Sequence, residues 1–463
     1  MGSRLPFLIG LSIAGSAGVT VIQADARNSA APPSTVVQRT AVVGALPANL
    51  PNPTLSGRIR LKIDVPNLSP EQSRPWFDQF SWQSFIALNW PADANHRGKP
   101  LEPDNPNILK NPPAGSVTVW GSYKEAFELF GQGNQPPTPW DSYVIPNPPC
   151  KEANGRTKLL LMVNKGGTLL DGVNQALSFP LIDQFKNYAW TEVRFDKAQY
   201  EFIRSRRLYL VKILASSQPI VMPASRPPAT LGSIMLKATW RPMTAMDDKS
   251  RYYTVDAMLY DPSTQKCEST QMGLVGFHIV HKLEQFPEWI WSSFEHVDNV
   301  ERGPGAHPNT PISFNNGSPT PVTTGGWANR PTQKAPPLLP VDQRVPVQVT
   351  RFNPIPSTPS GASTQDLNGI YQALLRDTVL RNYQLVITQW PTTPASFTTK
   401  ESGGIYPQDC GQPFPIDSCV NVVLETYFQS KSDASGAGGN SCMSCHYTAG
   451  KSDFSWVLQR RSH

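Results

Sequence analysis

Met272-Gly-Leu-Val-Gly-Phe-His-Ile-Val-His-Lys282 and Trp289-Ile-Trp-Ser-Ser-Phe-Glu-His-Val297 decide how this chain folds. Both runs are rich in β-branched and aromatic residues, and a short link, Glu284-Gln285-Phe286-Pro287-Glu288, joins them. They read as two strands of a hairpin. Side chains alternate along a strand, so His281 shares a face with Phe277 and Ile279, and His296 with Ile290, Ser292 and Phe294. His278 points the other way, beside Gly276 and Val280.

Working outward, Leu159–Val163, Leu208–Leu214, Ser233–Trp240 and Tyr252–Tyr260 carry the same strand signature. Pro75–Asn89 and Asp366–Leu385 have apolar residues at helical spacing, and Tyr123–Phe130 reads as a shorter helix. With 47 prolines, long helices are few, because proline removes a backbone donor and breaks helix interiors. The expected fold class is α+β: a β-rich globular body over 58–300 with short helices and long Pro-rich loops. Residues 27–57 form an extended lead-in, 301–361 an irregular Pro/Gly-rich excursion, and 362–463 a C-terminal segment. No internal repeat is present.

At 39% hydrophobic and 16% charged residues, the chain is neither a disordered tail nor a multi-span membrane protein. Arg4, the uncharged stretch from Leu5 to Ile22 and Ala24-Asp25-Ala26 make residues 1–26 a cleavable export signal. The same stretch is about long enough to anchor the chain in a thin bilayer if it is not cleaved. The expected place is the periplasm of a Gram-negative bacterium. The net charge of +6 is mild. It suits an acidic redox partner, and no Lys/Arg run of the kind that tracks nucleic acid occurs.

Chemistry concentrates at the end of the chain, in Cys442-Met443-Ser444-Cys445-His446. Two thiols separated by two residues reach the two vinyl groups of one porphyrin, and the following imidazole meets its iron. This predicts one covalent haem c held by Cys442 and Cys445, with His446 as an axial ligand. Zinc would want further ligands nearby, and no Cys or His lies in the preceding twenty residues. A thioredoxin-like pair would open a helix in a βαβ context, which is missing. Of the other cysteines, Cys410 and Cys419 would close a short loop and Cys150 with Cys267 a long one, though four cysteines allow three pairings.

The motif resembles that of cytochromes c. Only seventeen residues follow His446 and none is Met, unlike class I cytochromes c, so a standard class I fold is not expected. The Pro-rich stretch 386–419 leaves no room for a class II bundle. Closer is a group of exported bacterial cytochrome c family proteins. They pair a C-terminal Ser-Cys-Met-Ser-Cys-His with runs similar to Gly276–Lys282 and Trp289–Asn299. That resemblance implies haem binding and electron transfer, and brings no catalytic residues.

A second iron ligand must come from upstream, unless Met443 or the terminal His463 supplies it. His296 and His281, on apolar faces, stand ahead of His278, with Met272 behind. Asp453–Leu458 is close enough to cover the ring, and Arg460 and Arg461 to neutralise its propionates. The favoured function is periplasmic electron transfer. The alternatives are a peroxidase- or oxygenase-like haem enzyme and a haem sensor, whose substrate or ligand pocket would lie in the upstream body.

Overall fold

The computed structural model describes residues 46–459 apart from 131–133, 147, 152–157, 162–172, 176–177, 218, 262–263, 319–328, 330–338, 358–361, 393–412, 415–419 and 430–440. Among the described residues nine strands lie in one sheet: β1 Lys124–Glu125, β2 Lys158–Leu161, β3 Trp190–Phe195, β4 Ile234–Pro242, β5 Thr254–Asp261, β6 Lys266–Leu283, β7 Phe286–His296, β8 Tyr383–Pro391 and β9 Pro413–Phe414. The main path runs β1-β3-β4-β6-β7-β8-β9, and β5 bridges β6 to β2. Every pairing is antiparallel except β2 with β5. Helices are short, apart from α1 Pro70–Leu88: α2 Pro106–Lys110, α3 Ala126–Phe130, α4 Lys197–Ser205, α5 Val211–Ser216, α6 Thr364–Leu374, α7 Cys442–His446 and α8 Trp456–Gln459. The fold is α+β with a β-rich body.

The hairpin sits in the middle of the sheet and is longer than its sequence suggests. The chain turns at Glu284 and Gln285, and Leu283 pairs with Phe286. The link residues Phe286 to Glu288 therefore belong to β7. Strand β6 spans 18 residues because its first half pairs with β5 while its second half lies between β4 and β7.

One face of this sheet receives α1. Ser69 caps the helix through a capping box with Gln72, so α1 starts five residues before the expected Pro75. Phe85 stacks on Phe294 at 4.3 Å, Phe77 on Trp390 at 3.9 Å, and the Ser81 hydroxyl bonds those of Ser292 and Thr388 at 2.7 Å each. Helix α6 closes the same side through Asn368, which accepts from Trp82 Nε1 and donates to the Leu385 carbonyl.

Three local readings need correction. Leu208–Leu214 is not a strand. Leu214 donates to the Leu210 carbonyl and α5 follows, with Val211 and Lys212 exposed and Leu214 buried, a helical rather than an alternating pattern. In 123–130 only Ala126–Phe130 is helical, because Lys124 and Glu125 pair with β3. Asp366–Leu385 is not one helix either. Ser363 caps α6, which ends at Leu374, and Tyr383–Leu385 already pair with β7.

Within 301–361 the described residues hold one short 3-10 turn, Val341–Gln343, and no strand. Cys150 and Cys267 form a disulfide with their Cα atoms 5.9 Å apart. Cys410, Cys419 and residues 1–26 lie outside the described residues. Among those described, no helix is long and apolar enough to cross a membrane.

Candidate haem-attachment site

Helix α7 is the Cys-Met-Ser-Cys-His run itself. Positions i, i+3 and i+4 share one face of a helix, which brings Cys442, Cys445 and His446 together. Cys442 is half-buried against Val386 and Ile387, Cys445 is exposed, and His446 is half-buried. Met443 points into the core at 1% exposure, and its N–H donates to the Gln389 side chain at 2.7 Å.

The imidazole of His446 is oriented from both sides. Its Nδ1 donates to the Phe454 carbonyl at 2.7 Å, since a carbonyl only accepts. This fixes the tautomer of the neutral ring and puts the lone pair on Nε2, the atom a metal would take. The ring packs against Trp291, centroids 4.6 Å apart, with Trp456 edge-on at 6.5 Å.

Phe454 reaches His446 because the chain reverses sharply after the 3-10 turn Tyr447–Ser452. Asp453 (φ 53°) and Phe454 (φ 63°) are both left-handed, and their N–H groups donate to Gly450 and Ala449. For residues other than glycine this costs about 1–3 kcal/mol each, so surrounding contacts must hold them there. Asp453 is buried at 1% exposure and fully engaged. Its Oδ2 accepts from Lys282 Nζ at 2.5 Å and Met222 N at 2.7 Å, and its Oδ1 from Trp289 Nε1 at 3.1 Å. Burial pulls the Lys282 ammonium below its ordinary pKa, and Asp453 opposes that.

All these partners lie on the sheet face opposite α1. Cross-strand pairs share a face, and Met235 pairs with Val280, Lys237 with His278, His278 with Ser293, Val280 with Trp291, and Trp291 with Gln389. Segments 421–428 and 441–459 cover that face. Asn421 donates to Ser293, Glu425 lies 3.6 Å from Lys237 and 3.4 Å from His278, and the Ser455 hydroxyl faces the Met235 sulfur.

This arrangement sorts the histidines. His281 and His296 occupy the α1 face, away from α7. His281 donates from Nε2 to Leu231 at 2.9 Å and lies under Phe80, and burial pushes its pKa down to about 4. His296 uses both ring nitrogens, donating to the Arg251 carbonyl at 2.9 Å and accepting from Asp298 N at 3.1 Å. It stacks on Tyr252 at 3.9 Å, and burial also lowers its pKa to about 4. Only His278, of the three, shares the sheet face with α7. Met272 is buried in the first half of β6, paired with Val255 and Pro242. His463, Arg460 and Arg461 lie outside the described residues.

The sequence pattern singles out Cys442–His446 but not the residues that hold it: Trp291, Trp289, Lys282, Gln389 and Asp453. An acid inside the apolar tail and a lysine in an apolar strand were the available signals. The residues present fit a covalent haem: two thiols and an imidazole on one helical face, the imidazole held in the ligating tautomer. No group of His, Cys, Asp or Glu among the described residues is arranged to hold a metal ion by itself. No protein-family model matches the chain, and neither a curated protein nor a solved structure is significantly similar to it.

Proposed function

We propose that this protein is an exported, monohaem c-type cytochrome that transfers electrons, akin to the bacterial cytochrome c proteins its C-terminal run resembles. One observation carries the reading: within Cys-x-x-Cys-His, the His446 Nδ1–H is committed to the Phe454 carbonyl, as an iron-ligating histidine requires. Cys442 and Cys445 would form the thioethers, and Nε2 of His446 would bind the iron. Haem supplies one-electron chemistry between ferric and ferrous states. The chain's own residues do the holding. Met443 pins α7 to β8 through Gln389, Trp291 fixes the plane of the imidazole, and Cys445 leaves one edge of the site at the surface. The disulfide between Cys150 and Cys267 supports an oxidising compartment such as the periplasm. The mild positive charge suits an acidic redox partner.

The test is covalent retention. Protein exported by a host competent in cytochrome c maturation, then denatured, is expected to keep one haem per chain. With Cys442→Ala and Cys445→Ala together it should keep none. Release of all haem from the denatured wild-type chain rejects the proposal. The visible spectrum then separates the uses of the haem: low-spin six-coordinate iron fits a carrier, and high-spin ligand-accepting iron an enzyme or sensor.

A further inference from the structure

The geometry points to a second role for the body of the protein: a buried clasp, Lys282–Asp453–Trp289, that sets the donor strength of His446. This deepens the haem reading above and rests on it for its redox consequence, though not for its structural one. Eight non-glycine residues among those described have positive φ, and three of them meet here: Trp289 (φ 70°), Asp453 and Phe454. Bulky residues rarely adopt this conformation, and such outliers gather where a backbone is held for a purpose.

The connectivity shows what is being held. Asp453 joins three separate parts of the body, accepting from Lys282 on β6, Trp289 on β7 and the Met222 N–H. The next residue, Phe454, offers its carbonyl to His446 Nδ1. A second tie, Ile220 N–H to the Lys451 carbonyl at 2.8 Å, fixes the stretch of chain leading into the turn. The carbonyl therefore cannot move away from the imidazole unless the carboxylate is released. A hydrogen bond from Nδ1 to a rigid acceptor raises electron density on Nε2, and a stronger donor at that atom favours the ferric state. Asp453, Lys282 and Trp289 are thus positioning residues acting through Phe454.

The experiment compares Asp453→Asn, Lys282→Met and Trp289→Phe with Ser81→Ala, which breaks a buried hydroxyl bridge on the other sheet face. All four full-length proteins should retain covalent haem. The three clasp variants are expected to show a midpoint potential shifted to more positive values, while Ser81→Ala keeps the wild-type potential despite lower stability. A parallel arm needs no haem. In the full chain carrying Cys442→Ala and Cys445→Ala, nitrogen NMR should report His446 protonated at Nδ1, and Trp289→Phe or Asp453→Asn should shift it toward the Nε2–H form. Unchanged potential and tautomer in folded clasp variants overturn the inference, as does an equal potential shift in Ser81→Ala. If the wild type carries no haem, the haem reading falls and the NMR arm alone decides the clasp. Should Asp453→Asn fail to fold, Trp289→Phe, which keeps an aromatic ring in place and loses only the indole with its donor, decides between the two outcomes.

Discussion

A histidine in an apolar strand invites two readings, and here the two faces of one sheet separate them. His281 and His296 are buried as neutral rings with backbone partners, whereas His278 lies on the opposite face, beside Glu425 of the covering segment 421–428. Alternation along the strands was legible in the sequence and correctly divided the three. What the sequence lacked was which face the C-terminal segment would cover, because that depends on contacts more than 150 residues apart, such as Lys282 with Asp453. The neutral rings make stability depend on pH. Both pKa values fall from 6.5 to about 4 on folding. Between those values the unfolded chain binds protons that the folded chain does not, so stability rises with pH. It is fully present above about 6.5 and drains away as pH falls toward about 4, at about 1.4 kcal/mol per pH unit for each histidine. Urea unfolding at pH 4.5 and 7 should show that His281→Leu and His296→Leu together flatten this slope relative to wild type, while lowering stability at pH 7. If the chain carries haem as proposed, the same pair should leave its spectrum as it was. In that case a changed spin state would show that the α1 face does reach the iron.

At the level of elements, the hairpin and strands β2, β4 and β5 were readable from composition and turn residues, β3 was missed, and other errors fell where two periods compete. Leu208–Leu214 is too short for period alone to decide, and the helical stripe of α6 runs without a break into the β-branched start of β8. The start of α1 was missed although its signal is in the sequence: Ser69-Pro70-Glu71-Gln72 is a capping box with proline at the first helical position. One glycine shows how tightly the covering segment is seated. A Cβ at Gly276, in the centre of β6, would lie 2.6 Å from a Val423 methyl and 3.2 Å from Leu424. Gly276→Val should therefore push 421–428 off the sheet and cost about 1–3 kcal/mol as overpacking. Thermal unfolding measures it, and a Tm equal to wild type would mean that the segment has room to yield.

Across the whole molecule, the long-range bridge between Cys150 and Cys267 was one of three pairings that composition allowed, and folding alone could select it. It ties the stretch before β2 to the start of β6 across 117 residues. Replacing both cysteines by serine should lower the unfolding free energy by about 2–4 kcal/mol in chemical denaturation, and no loss would assign the bridge a role outside stability. Chain order has its own consequence. The body residues that hold the segment 441–459, from Ile220 to Gln389, all precede Cys442 in the chain. Once seated, Cys442 is half-covered by Val386 and Ile387, and Met443 is locked to Gln389. If the run takes up haem as proposed, attachment would compete with docking, because the seated segment half-covers the Cys442 thiol. On that reading, tight anchoring of the finished site and slow docking of the unfinished one would pull this sequence in opposite directions.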